Sequence, residues 1–300
     1  MGGPLTSTAA NDTAALPPRV IDAHQHFWRV ALQSQSWRTG AHAAIDRDYA
    51  PADLRPALAA AGVDATVLVQ SVDGPEENDR LAAYAAQAPD IVAALVGWLP
   101  LADPAAARAE LARFAHPALR GVRALVARDP LDWLATPSVV GLFRELAARG
   151  LAWDVVPVTA EQTRRVTALA EAVPELRIVV DHLARPPVDS GAFEPWASHL
   201  SALAAHPGVA CKVSIGIDVL TAWPRWDADA LLPYVAHAVE AFGPERLMLA
   251  SNWPVVLLRR DHRGALADLG AVLSRAGVGP DGLAEIRGHT AARWYGVPTA

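Results

Sequence analysis

Val20-Ile21-Asp22-Ala23-His24-Gln25-His26-Phe27-Trp28 sets two imidazoles two residues apart where an apolar, β-branched run ends. Alternation along a strand sends His24 and His26 to one side of it. A strand that finishes in chemistry-bearing side chains is what a parallel α/β barrel offers at its C-terminal rim, so the pair predicts a strand feeding a site. Two imidazoles there can hold a divalent metal or polarise a carbonyl. Alone the pair is a weak signal, and its weight depends on how the other strands end.

From this first strand the chain alternates short apolar runs with longer Ala/Leu/Arg/Glu segments, the pattern of parallel strands joined by crossover helices. Eight strands are predicted, at Val20–His24, Thr66–Gln70, Val92–Trp98, Leu119–Leu125, Leu151–Val156, Arg177–Asp181, Val209–Ser214 and Arg246–Ser251. Several are apolar throughout, as strands covered on both faces must be. Thr136 before Pro137 suits a helix start, Thr159 with Gln162 fits a capping box, and Gly62 and Gly150 stand where left-handed C-caps belong. The expected fold is a (β/α)8 barrel over residues 19–300, preceded by an aperiodic tail over 1–18. A doubly wound sheet would ordinarily carry a glycine-rich phosphate loop after its first strand, and none is present. The first loop is long, from His26 to about Tyr49, and with Trp28 and Trp37 it is the expected lid.

Each predicted strand delivers polar or aromatic residues to the rim: His24 and His26; Gln70 and Ser71; Trp98; Arg123; Asp154; Asp181 and His182; Lys212 and Ser214; then Ser251, Asn252 and Trp253. Convergence of His182 with His24 and His26 makes these three the expected catalytic or metal-holding set. Arg123 and Lys212 are either inward cations for a substrate carboxylate or hydroxyl, or structural partners of Asp154 and Asp22. Trp28, Trp98, Trp153 and Trp253 fall at or inside strand ends; core packing accounts for at least half, and the rest would suit a flat or sugar-like ring. His42, His116, His199, His206, His237 and His262 are expected at the surface, and His289 at the start of the last helix.

The 300 residues are 52% hydrophobic and carry a net charge of −6 without a basic run, which argues against nucleic acid or an anionic membrane as partner. A lone Cys211, no secretory-type leader and no apolar stretch near the roughly 20 residues of a membrane span predict a soluble cytoplasmic protein. Oligomeric state is left open, a homo-oligomer included.

Four ordered motifs, Ile21 to Trp28, Asp181-His182-Leu183-Ala184-Arg185-Pro186, Cys211-Lys212-Val213-Ser214 and Ser251-Asn252-Trp253-Pro254-Val255, together resemble the amidohydrolase superfamily. Within it the chain is similar to the amidohydrolase-2 sugar-lactonase branch (L-fuconolactonase, L-rhamnonolactonase and 2-pyrone-4,6-dicarboxylate lactonase types). The resemblance runs from about Arg19 to Val297, with Gly121-Val122-Arg123 and the closing Ala291-Ala292-Arg293-Trp294-Tyr295-Gly296. It implies a distorted barrel that hydrolyses a cyclic ester, and a metal that some members bind and others do without.

One residue departs from the pattern the resemblance implies: Asn252 stands where active members typically carry Asp, although Asn occurs in relatives. An amide can neither take a proton from water nor lend charge to a metal, so Zn²⁺ or another divalent ion is expected to be weakly held or dispensable. The expected catalytic residues are His24, His26, His182 and Asn252, with the three histidines also the expected metal ligands. Arg123, Ser71, Trp28, Lys212, Asp154 and Trp253 are expected to bind a small lactone. Asn252→Asp is expected to change hydrolysis at least tenfold, upward. The rival expectations are a non-oxidative decarboxylase of the same superfamily and a ligand-binding barrel impaired by Asn252.

Overall fold

A computed structural model describes residues 19–35 and 37–298; the tail expected over 1–18 lies outside the described residues. All eight expected strands are present as β1 (Ile21–Gln25), β2 (Ala65–Val69), β3 (Val92–Trp98), β4 (Leu119–Arg123), β5 (Ala152–Val155), β6 (Ile178–Val180), β7 (Val209–Val213) and β8 (Leu247–Leu249). They pair in parallel in the order β1 to β8, a nearly closed (β/α)8 barrel. Observed strands are shorter than predicted at β4, β5, β6, β7 and β8, because the last residues of each apolar run leave the ladder to form the rim.

The helices are α1 (Pro51–Ala61), α2 (Pro75–Gln87), α3 (Pro104–Arg113), α4 (Pro137–Ala148), α5 (Ala160–Ala172), α6 (Trp196–Ala204), α7 (Ile217–Ala222), α8 (Ala228–Phe242), α9 (His262–Arg275), α10 (Pro280–Ala284) and α11 (Thr290–Tyr295). Their burial follows helical period: α4 turns Val139, Leu142, Phe143 and Leu146 onto the sheet. Thr159 Oγ1 accepts from Gln162 N at 3.1 Å, and Gly62 ends α1 at φ 64°, where a side chain would be strained. His289 stands at the N-cap of α11. No helix among the described residues is long and apolar enough to cross a membrane.

The barrel interior divides into an apolar floor and a polar upper layer. Ile21, Ala23, Val67, Val69, Val96, Val179, Ala210 and Met248 fill the floor, with Trp294 and Tyr295 of α11 inserted from below. Gly121 of β4 leaves room for this plug: a Cβ there would lie 3.4 Å from the Tyr295 ring and 3.2 Å from Ala152 O. Strict alternation from the inward Ile21 and Ala23 would turn His24 outward. The β1–β2 register shifts between Asp22 and Gln25, and this bulge reverses the alternation so that His24 also faces inward.

β1 and β8 do not form a ladder of their own. The seam is joined by Ser251 N and Oγ donating to the two Asp22 carboxylate oxygens at 2.8 and 2.6 Å, and by His262 Nε2, 3.0 Å from Asp22 Oδ2. His26 N to Trp253 O and Asn252 N to His24 O complete it. His262, expected at the surface, is therefore 2% exposed, because the seam needs a partner for the buried Asp22 carboxylate. His42 is likewise buried: Nδ1 accepts from Thr39 N, leaving Nε2–H to donate to Thr221 Oγ1 at 3.0 Å.

Candidate active site

The polar layer is built around Lys212, fully buried on β7. Its ammonium lies 2.6 Å from Asp154 Oδ2, 3.0 Å from Asp181 Oδ1 and 3.0 Å from His24 Nδ1. Tyr295 Oη also donates to Asp154, at 2.7 Å. Burial pushes the Asp154 carboxyl up to about 6, against the opposing pull of Lys212. Burial pushes the Asp181 carboxyl the same way, but Lys212, His24 and Arg123 together hold it well below the usual carboxylate range. Lys212 and Asp154 thus lie beneath the site as its electrostatic support, instead of in contact with a substrate as expected.

Above this layer the three predicted imidazoles meet. The His24 ring centroid is 4.8 Å from that of His26 and 4.5 Å from that of His182. Burial lowers the pKa of all three, that of His26 to about 3, so each is neutral at pH 7. Their tautomers follow from their partners. His26 Nδ1 donates to Val69 O at 2.8 Å, leaving a lone pair on Nε2. His24 Nε2, 3.1 Å away, must then carry a hydrogen, and His24 Nδ1 accepts from Lys212. The buried Ser214 hydroxyl has His182 Nδ1 as its partner at 2.8 Å, so Ser214 donates and His182 presents Nε2–H.

A left-handed turn delivers His182. His182, Leu183, Ala184 and Arg185 have φ of 55, 51, 52 and 57°, a run that L-residues avoid at roughly 1–2 kcal/mol each. Arg185 N to His182 O at 2.8 Å and Trp196 Nε1 to Leu183 O at 2.6 Å hold the turn. Asn252 is left-handed too, at φ 56°. Its amide donates to Ile215 O at 2.8 Å, which fixes the flip and leaves a buried Oδ1 without a partner.

These groups open on a cavity of about 390 Å³ lined by His26, His182, Arg123, Ser71 and Asn252, with Trp37, Arg128, Arg185 and Asp218 among its other walls. Of the expected substrate contacts, Arg123 and Ser71 line it. Ser71 Oγ accepts from Gln35 at 3.0 Å and donates to Glu77 at 3.1 Å, so its hydroxyl latches the long first loop. Trp28 and Trp253 do not line the cavity. The Trp28 strand bridge to Tyr49 turns its ring into the core, where its indole donates to Arg47 O, and Trp253 packs edge-on to Tyr49 and Phe27. The loop's contribution is Trp37, whose indole donates to Ser71 O at 3.3 Å. Arg128, Arg185 and Asp218 were not anticipated; only Arg185, inside the His182 motif, left a signal in sequence.

The nitrogen donors fit a metal. His24 and His26 Nε2 stand 3.1 Å apart, close enough for both to hold one zinc ion. His24, Asp181 and His182 also offer donors within 4.8 Å of one another, and Asp181 Oδ2 is buried without a hydrogen bond. Arg123 Nη1, 3.5 Å from His24 Nε2, and Lys212 oppose a further cation.

A family model described as Amidohydrolase matches residues 21–297. Two curated relatives named L-fucono-1,5-lactonase are similar over nearly the whole chain: one from Burkholderia ambifaria, 39% identical across 92% of this chain and 95% of its own, and one from Burkholderia multivorans, 32% identical across 93% and 96%. A crystal structure of an amidohydrolase from Burkholderia multivorans with bound zinc superposes with a TM-score of 0.81 at 30% identity, covering 93% of this chain and all of that one. With the barrel, the converging imidazoles and a family match over almost its full length, this chain belongs to the amidohydrolase family.

Proposed function

We propose that the protein hydrolyses a small sugar lactone, with L-fucono-1,5-lactone or a close relative as the first substrate to assay. The observation that carries this reading is the convergence of His182 Nε2–H and Arg123 as donors, and Asn252 Oδ1 as acceptor, on one cavity. Lactone opening needs that division of labour: donors where the carbonyl oxygen gains charge, and an acceptor to hold the attacking water.

His182 Nε2–H and Arg123 stabilise the oxyanion, and Asn252 Oδ1 aims the water at the carbonyl carbon. The water proton passes to the ring oxygen as that oxygen departs, and His26, its Nε2 lone pair taken by His24 Nε2–H and its pKa lowered to about 3, stays neutral beside the transfer. Lys212, itself held by Asp181, donates to His24 Nδ1, and His24 in turn orients His26 through its Nε2–H. His24, His26 and His182 would hold zinc, which when bound supplies Lewis acidity at the carbonyl and acidifies water.

A panel of sugar, aromatic and pyrone lactones assayed by pH-stat, with and without Zn²⁺ and alongside metal analysis, tests the reading. Acid release without CO₂ is expected, and His182→Ala should cut kcat at least about 100-fold with its circular dichroism unchanged. Zinc is expected to bind more weakly than about 1 μM, short of the affinity of structural sites. Full activity in His182→Ala overturns the mechanism; CO₂ release would make the protein a decarboxylase. A ligand-induced rise in Tm with no product from any lactone would make it a binding barrel.

A further inference from the structure

We propose that the outer half of the cavity is an anion subsite, so that the preferred lactone carries a carboxylate on the carbon remote from its ester. This builds on the lactone-hydrolase reading. Three guanidiniums, Arg123, Arg128 and Arg185, line the cavity against one carboxylate, Asp218. Arg123 is turned inward, its Nε 3.3 Å from Asp181. Arg185 pairs through Nη1 with Asp218, whose side chain is 62% exposed and so well screened, while Arg185 Nε is buried without a partner. Arg128 has no hydrogen bond or ion pair among the described residues. Burial lowers the Arg185 pKa, Asp218 opposes this, and the positive charges of Arg123 and Arg128 lower it further.

Both outer arginines are carried on unfavourable backbone: Arg185 is itself left-handed, and Arg128 follows Ala127 at φ 42°. Packing alone gives no reason to gather like charges on strained turns, whereas a planar carboxylate accepting two guanidinium forks does. Leu125, Val126 and Ile217 form the apolar wall beside them, suited to the face of a ring.

D-glucono-1,4-lactone and D-glucaro-1,4-lactone share a ring and differ at one terminal carbon, hydroxymethyl in the first and carboxylate in the second. At low ionic strength the acidic lactone is expected to have a kcat/KM at least about tenfold higher, shrinking below about threefold in 0.5 M NaCl or in Arg128→Gln. Arg128→Lys, which keeps the charge without the fork, should fall between. Equal kcat/KM for the two lactones in the unmodified protein, or a preference untouched by Arg128→Gln, overturns the subsite. L-fucono-1,5-lactone serves as the control for hydrolysis itself. If no lactone is opened, calorimetry still judges the subsite: D-glucarate should bind about tenfold tighter than D-gluconate, and equal affinities refute it.

Discussion

Asn252 holds its amide nitrogen against Ile215 O, so the group standing where the resemblance implies an aspartate is wired as a donor on one side and an acceptor on the other. An ionised carboxylate at 252 would set an oxygen 2.8 Å from that carbonyl and leave Ile215 O unpaired. The structure therefore reverses the sign expected from sequence: Asn252→Asp should lower kcat/KM about tenfold or more and cost about 1–3 kcal/mol of stability. Steady-state kinetics and urea unfolding would check it, and a faster variant of unchanged stability would contradict it. Ser214→Ala removes the donor that fixes His182, freeing the other tautomer; kcat should fall about 10–100-fold with little change in Tm. An unchanged kcat would mean that His182 needs no such lock. At this scale the sequence named His24, His26, His182 and Arg123 because strand ends in a barrel converge. It misplaced Trp28, since the Tyr49 bridge cannot be read from composition or spacing, and it left Lys212 divided between a substrate and a structural partner, of which Asp154 is the one observed.

The turn at 182–185 and the bulge in β1 are the two elements that aim the imidazoles, and both break local rules that a sequence reading relies on. The eight strands and the caps at Thr159 and Gly62 were legible because apolar runs and capping chemistry are local. The bulge was not, because it depends on how β1 pairs with β2. Ala184, at φ 52°, has a Cβ that a left-handed residue is better without. Ala184→Gly should leave the fold slightly more stable, by about 0.5–1 kcal/mol, with activity retained. A drop in Tm would show that the methyl group contributes packing worth more than the backbone relief. The first loop is pinned by Gln35 on Ser71, by Gln33 on Glu77 at 2.8 Å and by His42 on Thr221, so the expected lid is a fixed wall in this structure.

Across the whole molecule, the buried neutral imidazoles make folding sensitive to acid. His24, His26 and His182 each have a pKa depressed below the 6.5 of an unfolded histidine, so below that pH the unfolded chain binds three protons that the folded one refuses. Asp154, raised to about 6, offsets one of them between roughly pH 4 and 6. Stability should thus be full above pH 7 and fall by roughly 3 kcal/mol per pH unit between about pH 6 and 4. Urea unfolding at pH 7.5, 6 and 5 measures this, and a flat profile would mean that water or ions reach the imidazoles.

Seven of the eight junctions in the cylinder are backbone ladders; the eighth has two main-chain hydrogen bonds, His26 N to Trp253 O and Asn252 N to His24 O, and otherwise depends on Asp22 and its clasp of Ser251 and His262. Cooperative ladders open together, whereas a clasp releases one side chain at a time. The wall should therefore unzip from this junction first. In hydrogen exchange the amides of Ser251 and Asn252 should lose protection ahead of those in β3 and β4, and Asp22→Asn should widen the gap. If all eight staves exchange in step, the barrel breathes as one body and the clasp is as strong as a ladder.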